Sequence, residues 1–428
     1  MAILFAILPD TESTLLRRGS SAFPARAALR TEAPSPHRWC GGIGGFLHLS
    51  MAEKTSRSGC YNADVVSDSE GGASMKIEPV IDEWSGPGDK DGTIVPITAR
   101  ENAVNREAAG SRFYGEWWYF DARLEDGHVV VGFLQASELM TRKPGIEIHV
   151  YKPSGEKLSV VKKFPASELR ASEEKCDVWV GKNHCYVEWP EEGDLPTHHV
   201  YISEDGMELD LTFVSEVPGW QPGKGRTRYG ERGYFSWVVP IPRARVEGTV
   251  KFEGKTLQAK GIGYHDHNVI TTDARRIISW WYWGRLYTDD FTLLYAYVRT
   301  QKRFGNVASK PLMLAYKDKV ILSSGEMEVT EGDVTFNATA NRTYPGRLEL
   351  EIPDQVYLRF DVKRVIDCND LLKELNPVLM NAAVRWLVNR FMRPGWFRFE
   401  SDFTLRVQHA GRTFEENGTT LHEMVALQ

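Results

Sequence analysis

The residues best suited to chemistry lie in one segment, Gly-Ile-Gly-Tyr-His-Asp-His-Asn at 261–268, directly after a run with the character of a β-strand. Successive side chains of a strand point to opposite faces, so Tyr264, Asp266 and Asn268 share one face. If that face looks into an apolar cavity, desolvation raises the pKa of Asp266. The segment therefore predicts a proton donor at Asp266, with Tyr264 beside it as a catalytic residue and Asn268 as a substrate-binding residue.

The two histidines of the segment, His265 and His267, share the opposite face. Their spacing suits two ligands of a metal ion, and each is also a candidate catalytic residue. A metal site needs three or four ligands with supporting hydrogen bonds, and no other ligand cluster stands nearby in the sequence, so we predict no metal. A third interpretation is that all these side chains only tie strands and loops together through hydrogen bonds.

Three aromatic clusters accompany this segment, at residues 116–119, 234–237 and 280–283. Aromatic faces carry negative charge density that stabilises a cation once water is excluded, although such rings also simply fill cores. Together they favour a large apolar pocket lined by rings, with one further acid at its edge. The candidate substrate-binding residues are Glu116, Trp118, Phe235, Trp237, Trp281 and Trp283.

The elements that must position these residues are short β-type runs from residue 114 onward, separated by Gly- and Pro-bearing turns. This pattern predicts an all-β fold of two strand sets rather than alternating βαβ units. A long surface loop is expected at 218–233 and a closing strand at 419–427. Three hairpins are predicted, with strands at 146–151, 248–252 and 312–316 and turns at 153–155, 253–254 and 317–318.

One amphipathic helix is expected at residues 369–392, where apolar side chains recur with helical spacing and Pro377 interrupts or restarts the helix. It is expected to cover the end of a barrel. Its basic residues Arg385, Arg390 and Arg393 leave open a weak contact with a membrane surface.

Composition narrows the class of protein. With 428 residues, a net charge of -6 and no basic stripe, the chain offers no reason to expect nucleic-acid binding. No segment reaches about 18 consecutive apolar residues, so we predict a cytoplasmic protein without a membrane span. Five cysteines at irregular spacing indicate a reducing compartment. Cys176 and Cys185 flank a predicted turn, so they form either two free thiols or a cross-strand disulfide.

The first 75 residues differ from the rest, because they are Arg-rich and show neither helical nor strand periodicity. They are predicted to be disordered. The composition weakly resembles a transit peptide, whereas the later methionines Met51 and Met75 suggest an over-extended start.

The string Glu116-Trp117-Trp118-Tyr119 with Asp121, together with the segment 261–268, resembles the carotenoid hydratase (hydroxyneurosporene synthase) and AttH-like superfamily, which includes fungal Diels-Alderases. The resemblance implies two packed lipocalin-like antiparallel β-barrels, at 76–270 and 271–428, with a hydrophobic pocket and no cofactor. It implies that Asp266 is the acid, Tyr264 its tyrosine and Trp237 the upstream tryptophan. Phe235 replaces the histidine expected there and Val269 replaces a tryptophan, which argues against carotenoid hydration itself.

From the residues themselves and from the family resemblance, we expect Asp266 to protonate an alkene of an isoprenoid or polyene, giving hydration or cyclisation. Two alternatives remain at this stage. A pericyclase would need only a shaped pocket that holds a polyene in a reactive geometry. A lipid-binding protein would use the same pocket without chemistry. The oligomeric state is unknown.

Overall fold

The structure, a computed structural model, describes residues 80–82, 94, 96–139, 141–190, 195–371 and 394–427. Nearly all regular structure in this part of the chain is antiparallel β-sheet, in one sheet of 13 strands and one of ten. The first sheet contains β1 (Val80–Asp82), β2 (Gly115–Leu124), β3 (Val129–Ser137), β4 (Gly145–Tyr151), β5 (Lys157–Lys163), β6 (Leu169–Ala171), β7 (Asp177–Val180), β8 (Asn183–Glu188), β9 (Thr197–Glu204), β10 (Met207–Ser215), β11 (Arg226–Tyr229), β12 (Tyr234–Phe252) and β13 (Lys255–Ile270).

The second sheet contains β14 (Ile278–Tyr287), β15 (Phe291–Thr300), β16 (Ala308–Ser309), β17 (Leu312–Tyr316), β18 (Lys319–Ser324), β19 (Glu328–Asn337), β20 (Arg342–Ile352), β21 (Val356–Asp370), β22 (Gly395–His409) and β23 (Arg412–Ala426). Short 3-10 helices occur at Ala99–Asn102, Ala108–Gly110, Ala166–Glu168, Gly230–Arg232, Ala274–Arg276 and Lys302–Phe304. None of the helices in the described residues is long and apolar enough to cross a bilayer.

The strand order explains how the sheets curl. The main path of the first sheet runs β5-β4-β3-β2-β13-β12-β10-β9-β8-β7-β6, and that of the second runs β18-β17-β15-β14-β23-β22-β21-β20-β19. Strand β3 also contacts β7 and β8 across the first sheet, so this sheet bends back over its own core. The predicted all-β fold of two lipocalin-like antiparallel units is confirmed, each unit being a curled half-barrel sheet.

The buried side chains form three main cores. One lies inside the first sheet and includes Phe120 and Phe213. A second lies inside the second sheet and includes Phe399. The third contains residues of both sheets, among them Trp237 of β12 and Trp281 of β14, so the two sheets pack against each other through it. Because side chains alternate along a strand, β2 and β13 each supply one face to the first core and the other face to this inter-sheet core.

The predicted hairpins are confirmed at β4–β5, β12–β13 and β17–β18, with turns at the expected residues. The prediction of a loop throughout 218–233 was wrong in part, because Arg226–Tyr229 within it forms strand β11, which pairs with β1 and β12. The closing strand begins at Arg412, seven residues earlier than predicted. The first 75 residues lie outside the described part of the chain. The predicted helix at 369–392 also lies outside the described residues from residue 372 onward. Of its first three residues, 369 and 370 belong to the end of β21 and 371 follows that strand.

Two smaller predictions concern connections. Cys176 and Cys185 are free thiols with their sulfur atoms 3.6 Å apart, as one of the two alternatives predicted. The chain passes from the first sheet to the second between Ile270 and Ile278. The division of the chain into separate domains at residue 270 stays a prediction.

Candidate active site

Strand β13 carries the predicted catalytic segment and lies between β2 and β12 in the middle of its sheet. Two glycines allow this close approach. A Cβ atom on Gly261 would lie 2.1 Å from the backbone oxygen of Arg123, and one on Gly263 would lie 2.4 Å from a methyl group of Val246. Any larger side chain would force the strands apart, so the glycines of the motif set the position of the residues that follow.

The side chains of Tyr264, Asp266 and Asn268 lie together on the inter-sheet face and are buried. The Tyr264 hydroxyl donates to Oδ2 of Asp266 at 2.9 Å, and Asn268 donates from Nδ2 to Oδ1 at 2.6 Å. Trp237 of β12 reaches the same point, with its indole nitrogen 3.3 Å from Oδ2 of Asp266 and 3.2 Å from the Tyr264 hydroxyl. The structure therefore brings four predicted residues into one cluster.

Burial dominates the electrostatics of this cluster. It raises the pKa of Asp266 to about 6, although the hydrogen bonds from Tyr264 and Asn268 lower it. With that pKa, about one Asp266 carboxyl in ten carries a proton at pH 7. Burial and the neighbouring carboxylate raise the pKa of Tyr264 well above its usual value. Asp266 can thus exchange a proton near neutral pH, which an ordinary aspartate does poorly.

A second tyrosine–aspartate pair lies on β2. The Tyr119 hydroxyl donates to Asp121, whose other oxygen is paired with Arg285 of β14. The Arg285 guanidinium lies over the ring of Tyr264 at 4.6 Å from its centroid and over Trp283 at 5.5 Å. A cation therefore already occupies ring faces that the sequence suggested for stabilising a carbocation.

A cavity of about 600 Å³ lies between the two sheets beside this second pair. Its wall includes Tyr119, Asp121, Trp283 and Arg285, so the predicted residue Trp283 lines it. Asp266 and Tyr264 are not among its lining residues. Tyr264 lies behind the wall, with its ring centroid 6.2 Å from that of Tyr119 and 5.7 Å from that of Trp283.

His265 points away from this site into the core of the first sheet. It stacks on Phe120 with ring centroids 4.0 Å apart and accepts a hydrogen bond from Asn102, which also donates to His198. Within the described residues, Cys176, His198 and His265 place possible metal-ligand atoms within 4.8 Å of one another. The Asn102 amide nitrogen donates to Nε2 of both imidazoles, at 2.8 and 3.0 Å, and these are two of the three possible ligand groups.

His267 also lies on the face away from Asp266. It stacks on Trp118 at 4.6 Å, and its Nε2 lies 2.8 Å from Glu116. Its Nδ1 lies 3.1 Å from the carbonyl oxygen of Glu101, so acceptors face both ring nitrogens. Four predicted site residues thus lie away from the Asp266 cluster, namely Glu116, Trp118, His265 and His267. The other two predicted aromatics, Phe235 and Trp281, are buried in the inter-sheet core.

Comparison with known proteins assigns the chain to a family. The model of the Svf1 family matches residues 106–426, three quarters of the chain. The chain belongs to the Svf1 family.

Two relatives with curated descriptions are similar to parts of this Svf1-family chain. The hydroxyneurosporene dehydrogenase of Chlorobaculum tepidum is 37% identical over 222 residues, covering 42% of this chain and 55% of that protein. The ceramide-binding protein svf1 of Schizosaccharomyces pombe is 23% identical over 148 residues, covering 33% of this chain and 39% of that protein. The chain therefore spans about half the length, or less, of these relatives.

A solved structure agrees in fold. CghA with Sch210972 covers 82% of this Svf1-family chain and 99% of its own, at 12% identity and a TM-score of 0.54. The Chlorobaculum relative confirms the resemblance to the carotenoid hydratase and AttH-like superfamily, and CghA shows a shared fold.

The Svf1-family chain also contains site residues that sequence reasoning missed. Arg285 carries no local signal, because it lies in the second sheet and meets Asp121 only through packing of the two sheets. Tyr119 and Asp121 were noticed as part of a motif, and their place on the cavity wall could have been inferred from the alternation of β2.

Proposed function

We propose that this chain is an enzyme that acts on a hydrophobic isoprenoid or polyene by acid-initiated protonation of an alkene, without a cofactor. The observation that supports it best is the buried cluster of Asp266, Tyr264 and Trp237, whose carboxyl has a pKa of about 6. A carboxyl that is partly protonated at neutral pH and shielded from water is the group such chemistry needs. The name of the Chlorobaculum relative, with its hydroxylated carotenoid, agrees with this substrate class.

The hydrogen bonds suggest the route of the proton. When Asp266 is protonated on Oδ2, the Tyr264 oxygen can accept that hydrogen, whereas the Trp237 indole can only donate. Because Tyr264 lies behind the wall formed by Tyr119 and Trp283, these side chains must move aside for the substrate. The Tyr264 hydroxyl proton then passes to an alkene carbon, where a C–H bond forms as the π bond breaks. Asp266 is left as a carboxylate and the neighbouring carbon as a cation. Water or an internal alkene captures that cation, and the released proton restores Asp266.

The position of the Arg285 charge indicates which aromatic residues can stabilise a carbocation. The Arg285 guanidinium, which is paired with Asp121, covers the ring faces of Tyr264 and Trp283, so these faces are already occupied by a cation. We therefore assign cation stabilisation to Trp237 and Trp281, which lie in the inter-sheet core.

A lipid-binding protein without chemistry is the second candidate. Two observations favour it, namely that charged side chains line the cavity and that Asp266 lies behind its wall. The Schizosaccharomyces relative is named for binding ceramide. In this case the Asp266 cluster would only hold β12 and β13 together.

The test compares the wild type with Asp266→Asn on isoprenoid and polyene extracts in deuterated water, read by mass spectrometry. The exposed Asp210→Asn serves as a matched control. Deuterium on carbon in the wild-type and control products, absent from Asp266→Asn, supports proton-initiated chemistry. Product without deuterium indicates a pericyclic reaction, and retention of unchanged lipid indicates a binding protein.

A further inference from the structure

The cavity between the sheets differs in charge from the rest of the protein. The whole chain carries a net charge of -6. The cavity wall instead contains more cations than anions, the anions being Asp121, Glu125, Glu216 and Glu423. The cations of the wall are Arg123, Arg243, Arg245, Lys260, Arg285 and Arg398. A positive concave surface on an acidic protein concentrates anions at that place.

Ion pairs within the cavity wall do not cancel its excess of positive charge. Each wall anion has a wall cation as partner, through the pairs Asp121–Arg285, Glu125–Lys260, Glu216–Arg243 and Glu423–Arg398. The two remaining cations are Arg123 and Arg245. Arg245 lies 3.5 Å from the exposed Glu247, and Arg123 has no ion pair with a described residue.

Arg123 and Arg285 both line the cavity, and Asp121 connects their positions. Arg123 follows Asp121 by two positions on β2, so their side chains leave the same face about 7 Å apart. Arg285 is bound to Asp121. One guanidinium is therefore fixed by an acid, and the second is exposed and has no acidic partner among the described residues.

The same wall contains apolar side chains, among them Val129, Val131 and Ile262. A volume of about 600 Å³ lies in the middle of the range of about 300–1,000 Å³ for sites that enclose small organic ligands. The cavity can thus take a charged group and part of a hydrocarbon chain together.

We propose that this cavity binds an amphipathic ligand through an anionic head group, a carboxylate or phosphate, which Arg123 and Arg285 hold while the apolar wall contacts the chain. This inference rests on the proposed function, since it assigns the head group of the substrate or lipid that would reach the Asp266 cluster from this adjoining cavity. A guanidinium donates paired hydrogen bonds that match the geometry of both anions.

The experiment measures affinity by calorimetry at low salt, below micelle-forming concentrations, with farnesyl phosphate, farnesol and inorganic phosphate as probes. Farnesyl phosphate is expected to bind about tenfold more tightly than farnesol, because the phosphate accepts charge-assisted hydrogen bonds from the guanidinium groups and the farnesol hydroxyl does not. Arg123→Gln should remove most of that preference, and its exposed position puts the fold at little risk. Arg364→Gln, an exposed arginine of β21 outside the cavity, should leave the preference unchanged.

A second variant addresses Arg285. The double variant Asp121→Asn with Arg285→Gln removes both charges of the buried pair, so neither is left without a partner. It should also lower the preference for the phosphate. Equal affinity of wild type for farnesyl phosphate and farnesol would overturn the anionic head group while leaving the proposed function intact. Inorganic phosphate binding as tightly as farnesyl phosphate would overturn the amphipathic class, and no binding of either isoprenoid would count against the proposed function itself.

Discussion

Asp266 stands directly opposite Tyr119 in the antiparallel pairing of β13 with β2, and the same register places Tyr264 opposite Asp121. Each tyrosine donates a hydrogen bond to the aspartate two residues further along its own strand. The site is therefore built from two similar pairs with different surroundings. Asp121 is neutralised by Arg285, whereas Asp266 forms no ion pair with a described basic residue. This difference explains why burial leaves Asp266 with a raised pKa.

The first prediction concerns the pH dependence of turnover. If protonated Asp266 is the acid, the rate should fall as pH rises through about 6, because the acidic form is lost. The measurement is kcat against pH for a polyene substrate identified by the deuterium experiment. A rate that stays constant from pH 5 to pH 8 would exclude Asp266 as the rate-limiting proton donor and favour a pericyclic mechanism.

Tyr264→Phe should raise the pKa of Asp266 further. The Tyr264 hydroxyl donates to the carboxylate at 2.9 Å, and this hydrogen bond lowers the pKa that burial raises. Removing it leaves the carboxylate with fewer donors, so the protonated form persists to higher pH. The shift can be followed through the infrared carboxyl band of Asp266, assigned by its loss in Asp266→Asn. Tyr282→Phe, which removes a hydroxyl bonded to Glu331, is the control and should leave that band unchanged.

A third prediction concerns stability. The folded-state pKa of Asp266 lies about two units above the usual value of 3.8. A raised pKa means that the folded state binds the proton more tightly than the unfolded state does. Proton binding by Asp266 therefore stabilises the fold fully at low pH, and this stabilisation is lost as pH rises from about 4 to about 6. The loss from this one group amounts to about 3 kcal/mol.

Other groups titrate in the same range, so the informative quantity is the difference between two proteins. The free energy of unfolding of Asp266→Asn, relative to wild type, should increase by about 2 kcal/mol between pH 4 and pH 7, since the unfolded carboxyl is already partly ionised at pH 4. Urea unfolding at several pH values measures it. A difference that does not change with pH would show that Asp266 titrates normally in the folded protein.

Much of the fold could be predicted from the sequence because its signals are local. Turns with glycine or polar residues marked the three hairpins, and alternation placed Tyr264, Asp266 and Asn268 on one face. The strand β11 was missed because it has only four residues and because one of its two partners, β1, lies far away in the sequence. Neither periodicity nor composition reports such pairing.

The site was predicted in part for the same reason. Trp237 was connected to the acid by resemblance, and the structure adds their hydrogen bond. His265 and His267 were correctly placed on the other face, yet only the fold reveals that Asn102 and Glu116 hold them there. The contact between Asp121 and Arg285 joins two sheets, so no local pattern could indicate it.

The last prediction tests whether the glycines of the motif position the site. Gly261→Ala would place a methyl group 2.1 Å from the backbone oxygen of Arg123, a distance that no rotamer change can relieve. Strand β13 would have to move away from β2, at a cost of about 1–3 kcal/mol of folding free energy or more. Gly110→Ala is the matched control, because a methyl group there meets no atom within 4 Å.

Thermal and urea unfolding of both variants give the comparison, with Gly110→Ala expected to stay within about 0.5 kcal/mol of wild type. Because the displaced strand also carries Asp266, Gly261→Ala should change the pH at which the carboxyl titrates as well as stability. Wild-type stability in Gly261→Ala would mean that β2 and β13 are not in close register, and the pairing of Asp266 with Tyr119 would have to be abandoned.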